Sequence, residues 1–161
     1  MIKIMLSLLS VISMLLVGCV KDLDSSTVET TYKFSGNNGV IELENGSMVI
    51  DRYIKTMDGG QVTFLGDSKL SEFDEYSITI YLENEEKIPL LTQQGKASNK
   101  DHEVKDMEMG FVKEWTLEGV DVDKAKLDDQ LYVEINGKIG NDEYKSYVLN
   151  LDVKKVKEET K

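Results

Sequence analysis

The chain has 161 residues, of which 30 are Asp or Glu and 19 are Lys or Arg, so its formal net charge is −11 at pH 7. This charge repels phosphate groups and no basic stripe offsets it, which argues against nucleic acid as a partner and disfavours direct contact with anionic lipid. A chain of this length is typical of one domain with a sizeable core.

The N-terminal segment is typical of an export signal. Lys3 supplies a short positive region, and the fourteen residues from Ile4 to Val17 carry no charge. A permanent membrane helix needs about 20 apolar residues, whereas the apolar region of a secretory signal has roughly 7–15. We therefore expect residues 1–18 to be a signal peptide.

Cys19, the only cysteine of the chain, directly follows this apolar run. The sequence Leu16-Val17-Gly18-Cys19 resembles the lipobox of bacterial lipoproteins. The resemblance implies that the Cys19 sulfur receives a diacylglycerol and that the chain is cut before Cys19. The acyl chains would then hold the mature protein on the extracytoplasmic face of the cell membrane. The alternative is a plain signal peptide or an anchor helix with an unmodified cysteine.

The residue types of the lipobox suit its chemistry. The small residue Gly18 gives the peptidase access to the bond before Cys19, and the Cys19 thiol is the nucleophile that the lipid alkylation requires. The sparse use of cysteine together with the lipobox suits a Gram-positive bacterium. No cofactor is expected besides the covalent lipid on Cys19.

The mature chain begins with a polar segment and continues as β-strands. Residues 19–31 lack periodicity and are expected to be a flexible tether. Asn45-Gly46 lies between two strand-like runs, which predicts a type I′ hairpin, and residues 58–60 predict a second turn. Residues 76–83 alternate apolar and polar side chains, which predicts a strand with one buried face.

The C-terminal part predicts a long hairpin and a charged tail. Residues 131–153 contain two alternating runs, and we expect the turn at Gly140 to Glu143 with a bulge at Asn136-Gly137. The alternative is a turn at Asn136-Gly137 that is followed by a short extra piece. Residues 154–161 are charged and are expected to fray. Short helical turns are predicted within residues 67–75 and 121–129.

These strands indicate an all-β domain over residues 32–153. About eight strands at a spacing of about ten residues, with turn signals between them, are typical of an antiparallel fold. The expected architecture is an antiparallel β-sandwich of the immunoglobulin-like kind, with a small β-barrel as the alternative. Because no disulfide is available, such a fold depends on packing alone.

The signals for catalysis and metal binding are weak. His102, the only histidine, lies in a polar stretch and cannot form a multi-histidine zinc site, so we interpret it as a loop residue. Asp121, Asp123 and Asp128 belong to an acidic run that could offer oxygens to calcium. The EF-hand pattern fails there because Lys126 stands where that loop needs glycine, so we expect no metal.

Tyr81 and Tyr132 form the candidate ligand surface. Both fall on the polar side of strands whose other side is apolar. Exposed tyrosines on a sheet can stack on sugars or anchor a peptide, whereas the alternative is a cross-strand pair that only stabilises the sheet. The polar segment from Thr92 to Asp106 is long for a loop in a compact domain, which is typical of functional or disordered loops.

Together these patterns favour a non-enzymatic function, namely a lipid-anchored binding or accessory module at the cell envelope whose partner is an envelope protein or glycan. One alternative is an inhibitory or immunity lipoprotein that blocks a toxin, a protease or phage entry, since an acidic surface suits a basic partner. A second alternative is a hydrolase with a carboxylate pair, which needs one acid of raised pKa in a cleft.

Overall fold

The computed structural model of the chain describes residues 28–51, 54–96, 104–113, 127–140 and 143–160. The predicted signal peptide and the predicted lipobox with Cys19 lie outside the described residues, as do His102, Asp121 and Asp123. Within the described ranges, no helix has both the length and the apolar character needed to span a membrane.

The described residues are almost entirely β-strands that form two antiparallel sheets. In chain order the elements are β1 Val28–Asn37, β2 Ile41–Ile50, β3 Ile54–Asp58, β4 Gln61–Phe64, a 3-10 turn Leu70–Glu72, β5 Glu75–Asn84, β6 Glu86–Lys96, β7 Asp106–Glu108, β8 Phe111–Lys113, a helical turn α1 Leu127–Gln130, β9 Leu131–Ile139, β10 Glu143–Asn150 and β11 Asp152–Thr160. Sheet 1 has the order β11-β1-β2-β3-β8, with β4 paired to β2 and β7 paired to β4. Sheet 2 has the order β10-β9-β5-β6.

The two sheets pack against each other, which confirms the predicted all-β sandwich. They do not close into the small barrel that was the alternative. An immunoglobulin domain has the strand order ABED in one sheet and CFG in the other. Here three consecutive strands, β1, β2 and β3, lie side by side in sheet 1. The sandwich architecture is therefore as predicted, and the order of its strands departs from the immunoglobulin pattern.

The core lies between the sheets because each strand turns alternate apolar residues inward. In β5, Ile78, Ile80 and Leu82 are buried, as the alternation of residues 76–83 predicts. Each such side chain contributes about 1.5–3 kcal/mol when it is fully removed from water. The same inward pattern holds for Leu131, Val133 and Ile135 of β9 and, from sheet 1, for Phe34, Ile41, Leu43, Met48 and Ile50.

The predicted hairpin at Asn45-Gly46 is wrong, because β2 runs through this dipeptide without reversing. Asn45 has a φ of 61°, and the register between β1 and β2 shifts nearby, between Phe34 and Gly36. On the other side of β2, the pairing partner changes from β4 to β3 at the same point. The positive φ that favours a type I′ turn here bends a continuous strand instead.

Gly59 and Gly60 also bend sheet 1, and the predicted turn at residues 58–60 does not reverse the chain. Strands β3 and β4 both pair antiparallel with β2, and Gly60 has a φ of 71°. The Gly59 N–H donates to the Gly110 carbonyl at 2.9 Å, and the Met109 N–H donates to the Gly60 carbonyl at 2.8 Å. The short gap between β3 and β4 therefore lies beside the short gap between β7 and β8. Glycine-containing bends of this kind curve a sheet over its core.

The C-terminal hairpin is confirmed, whereas the predicted bulge within it is wrong. Ile139 pairs with Glu143, so the chain reverses between these two residues, as predicted. Pairing of β9 with β10 continues without a register shift through Asn136-Gly137. This dipeptide therefore lies in regular strand, because its partners on β10 hold it in register.

The charged C-terminal tail does not fray but forms β11, which corrects both ends of the predicted domain. Strand β11 runs from Asp152 to Thr160 and pairs with β1, whose first residue, Val28, lies within the segment predicted as tether. The chain crosses from sheet 2 to sheet 1 at the buried residue Leu151. Backbone pairing needs no apolar side chains, and charged residues on an edge strand oppose pairing with other chains.

Short elements connect the strands where turns were predicted. The 3-10 turn Leu70–Glu72 lies within the predicted helical segment 67–75, and α1 lies at the end of the segment 121–129. The segment predicted as a loop from Thr92 to Asp106 is shorter than expected. Its first part belongs to β6, which continues to Lys96 and pairs with β5.

Candidate functional site

Tyr81 and Tyr132 lie side by side on the outer face of sheet 2, the face that points away from the core. They are directly paired residues of β5 and β9, and their rings are stacked with centroids 5.6 Å apart and an angle of 16° between the ring planes. Only 3% of Tyr81 is exposed. The expectation that both tyrosines are exposed is therefore wrong for Tyr81, and the geometry favours the cross-strand alternative.

Lys87 and Glu134 cover this tyrosine pair. The Lys87 ammonium lies 4.8 Å from the centre of the Tyr81 ring and 3.1 Å from both carboxylate oxygens of Glu134. Burial raises the pKa of Tyr81, and the hydrogen bond to Glu134 raises the pKa of Lys87. The Tyr132 hydroxyl donates to the Asp129 carbonyl at 3.2 Å. This half of the outer face is thus occupied by its own side chains.

The other half of the same face carries an open groove of about 540 Å³. The groove runs across all four strands of sheet 2, because its walls come from each of them. The lining side chains on the outer face are Gln94 and Lys96 of β6, Glu75 and Ser77 of β5, Asn136 and Lys138 of β9, and Tyr144 of β10. Ligand sites for small molecules have volumes of about 300–1,000 Å³, so this groove is large enough for one.

The groove exists because a small residue lies between longer ones. Ser77 lies between Gln94 on β6 and Asn136 on β9. Because the serine side chain is shorter than both amide side chains, the surface is recessed at Ser77. Beneath it, the next residue, Tyr76, points to the inner side and pairs with Gly95 and Gly137. A Cβ on Gly95 would overlap the Tyr76 ring, so glycine is required for this aromatic side chain to pack.

Charged side chains at one wall of the groove are fixed by an ion pair. The Lys96 ammonium lies 2.6 Å from a Glu75 carboxylate oxygen. On the other neighbouring strand, β9, Lys138 is the residue directly opposite Glu75 in the strand register. The hydrogen bond from Lys96 lowers the pKa of Glu75, and the same bond raises the pKa of Lys96. Both groups therefore remain ionised at neutral pH, and the wall offers a carboxylate acceptor and two ammonium donors.

Tyr144 is the residue of this site that sequence reasoning missed. It is 75% exposed and pairs with Lys138 at the rim of the groove, while Val148, on the same face of β10, is 46% exposed. A signal was present in the sequence. If Tyr147 and Leu149 point inward, alternation along the strand turns Tyr144 outward. What the alternation does not reveal is that its neighbours leave the ring open to solvent.

The weak calcium candidate Asp128 has a structural contact. Its carboxylate oxygen accepts a hydrogen bond from the Val153 backbone N–H at 2.6 Å, and its own carbonyl accepts one from the Asn150 side chain at 3.2 Å. These bonds tie α1 to the crossover between β10 and β11. Within the part of the chain that the structure describes, no group of three or more His, Cys, Asp or Glu side chains is placed to hold a metal ion.

A second cavity, of about 570 Å³, marks the other end of the molecule. Its walls include Val28, the first residue of β1, together with Tyr32, Leu127 and Val153. Since Leu127 leads into the start of β9 and the groove lies near the end of β9, the two cavities are far apart along sheet 2. The end at which the chain enters β1 is therefore distinct from the groove.

The chain matches no protein family model, no curated protein and no solved structure. The functional conclusion therefore depends on the site, because fold alone does not imply function.

Proposed function

We propose that the protein is a lipid-anchored, non-enzymatic binding module on the extracytoplasmic face of the cell membrane. It would present the outer face of sheet 2 to a partner in the envelope. The lipobox at Cys19 supports the location. The observation that carries the binding role is the open groove, which has an exposed aromatic residue, Tyr144, at its rim.

The position of the groove suits a tethered binding module. Val28 follows Cys19 by nine positions, a distance that an extended chain spans with at most about 30 Å. The lipid would therefore be held close to the end of the sandwich where β1 begins. The groove lies near the other end of β9, about 20 Å beyond Leu131 at the usual rise per strand residue. A ligand in the groove would thus not compete with the anchor.

The charges in the groove favour binding over hydrolysis. A glycosidase-type site needs two carboxyl groups, one of which keeps its proton because its pKa is raised. Among the described side chains that line the groove, Glu75 is the single carboxylate, and Lys96 lowers its pKa. It is therefore suited to accept hydrogen bonds rather than to donate a proton to a leaving group.

The anchor is tested by the intact mass of the protein extracted from membranes. We expect the loss of residues 1–18 and the added mass of a diacylglycerol on Cys19. The variant Cys19→Ala should lose the lipid and leave the membrane fraction. A purified protein that keeps Met1 and carries an unmodified thiol would contradict the location.

The binding face is tested by photo-crosslinking on intact cells. A photoreactive amino acid at Ser146, on the outer face of sheet 2, should crosslink to an envelope component. The matched control is Ser35, which is also exposed but lies on the outer face of sheet 1. Equal crosslinking from both positions, or from neither, would contradict the proposed binding role of sheet 2.

A further inference from the structure

The groove on sheet 2 combines donors and acceptors in a way that indicates one class of ligand. We infer that the groove binds a neutral glycan and that Tyr144 provides the surface on which a sugar ring stacks. This inference rests on the proposed binding function and names its ligand.

The polar side chains suit a ligand made of hydroxyl groups. Gln94 and Asn136 face each other across Ser77, and each amide can both donate and accept. Glu75 adds acceptors, and Lys96 and Lys138 add donors. A hydroxyl also donates and accepts, so a sugar can satisfy such a mixed set. An anion would place a second negative charge beside the Glu75 carboxylate, which repels it.

The aromatic ring supplies the contact that a sugar needs besides hydrogen bonds. Tyr144 is 75% exposed at the rim, beside Lys138. The C–H face of a sugar ring can pack flat on such an aromatic side chain and remove apolar surface from water. The tyrosines at the other end of the face, Tyr81 and Tyr132, are engaged with each other and do not offer this surface.

The shape of the groove fits a chain of sugars better than a single ring. It crosses four strands, and neighbouring strands lie about 4.8 Å apart, so its length is about 14 Å. Most of its described walls are exposed side chains, and the groove reaches both edge strands of sheet 2, β6 and β10. An open groove of this kind binds an internal stretch of a polymer.

The charge of the protein argues against the two other ligand classes. The formal net charge of −11 repels polyanions, and Glu75 places a carboxylate inside the groove itself. An extended peptide would gain its main-chain hydrogen bonds at the edge of a sheet, along β6 or β10, rather than on the face. A neutral glycan meets neither obstacle.

The test uses the full-length lipoprotein in detergent micelles and a panel of neutral oligosaccharides of three to six sugars, with titration calorimetry on those that bind. We expect at least one to bind. The variant Tyr144→Ala should weaken binding about tenfold, because the stacking surface is lost, whereas Tyr144→Phe keeps the ring and should bind almost as the native protein does. Asn136→Ala should weaken binding several-fold, since one amide is lost.

The matched control is Val148→Ala, which removes an exposed apolar side chain from the same face of β10, outside the groove. It should leave glycan binding unchanged. The inference is overturned if no neutral oligosaccharide binds, if Tyr144→Ala binds as well as the native protein, or if only anionic polymers or peptides bind. If no glycan binds while Ser146 still crosslinks to a protein on cells, the binding function stands and the glycan inference alone falls.

Discussion

The ring of Tyr81 lies under the Lys87 ammonium and against the ring of Tyr132, so one buried tyrosine is covered from two directions. An ion pair between Lys87 and Glu134 holds the cation in place. Three strands contribute to this cluster, because Lys87 comes from β6, Tyr81 from β5 and both other residues from β9. The outer face of sheet 2 is therefore divided into a closed half, which stabilises the sheet, and an open half with the groove.

The closed half leads to the first prediction. Tyr132→Ala should lower the free energy of unfolding by about 1–2 kcal/mol, because the stacking partner of Tyr81 is lost and its ring becomes exposed. Tyr132→Phe keeps the stack and should cost less. Chemical denaturation measures both variants, and a double-mutant cycle with Tyr81→Ala and Tyr132→Ala reports the coupling between the two rings. Tyr132→Ala with native stability would contradict the cross-strand interpretation.

A second prediction concerns Asp128, which accepts the Val153 backbone N–H. Asp128→Ala should lower the free energy of unfolding by about 1–3 kcal/mol, because a partly buried N–H group loses its acceptor. The matched control is Asp129→Ala, which changes the neighbouring exposed carboxylate. Thermal unfolding in a chelating buffer measures the difference without a contribution from calcium. Equal effects of the two substitutions would show that this hydrogen bond is unimportant.

The sequence predicted those features that neighbouring residues determine. It did not predict those features that depend on pairing with a strand distant in sequence. The alternation in residues 76–83 predicted a half-buried strand, and Ile78 and Ile80 are buried as expected. Asn45 has the positive φ that a type I′ turn needs, whereas Gly46 does not. Whether that φ reverses the chain or only bends it depends on β1, which pairs with β2 on both sides of the dipeptide. No local signal contains that information.

The site was harder to predict than the fold because it is built from four strands that are distant in sequence. Tyr144 can be placed on the outer face by alternation alone, yet its position beside Lys138 depends on the register of β9 and β10. In the same way, Ser77 lies between Gln94 and Asn136 only because β5 pairs with both β6 and β9. Tyr81 was expected on the correct face, but its burial follows from Lys87 on a neighbouring strand.

A third prediction tests the bend in β2. A Cβ on Gly46 would overlap the Phe34 ring that packs across the strand pair, so Gly46→Ala should lower the free energy of unfolding by about 1–3 kcal/mol. Phe34→Leu opens space at this point. The double variant should therefore be more stable than the sum of the two single losses implies.

The control for this prediction is Gly39→Ala. Gly39, unlike Gly46, has a positive φ, of 83°, and an added Cβ there would meet nothing within 4 Å. Its substitution should cost roughly 1 kcal/mol through backbone strain alone, and Phe34→Leu should not rescue it. Urea unfolding measures all of these variants. Strict additivity of Gly46→Ala and Phe34→Leu would contradict the proposed contact.

The last prediction concerns alkaline pH. Burial raises the pKa of Tyr81 above its ordinary value of about 10. As the pH rises past that value, the unfolded chain releases this proton while the folded protein keeps it, so the free energy of unfolding should fall. Urea unfolding at pH 8 and at pH 11 measures the loss of unfolding free energy. Other groups that titrate in this range, such as Lys87, also contribute to this loss. Tyr81→Phe removes the titrating hydroxyl and should make the loss smaller. If Tyr81→Phe loses as much stability between the two pH values as the native protein, Tyr81 does not contribute to the alkaline transition.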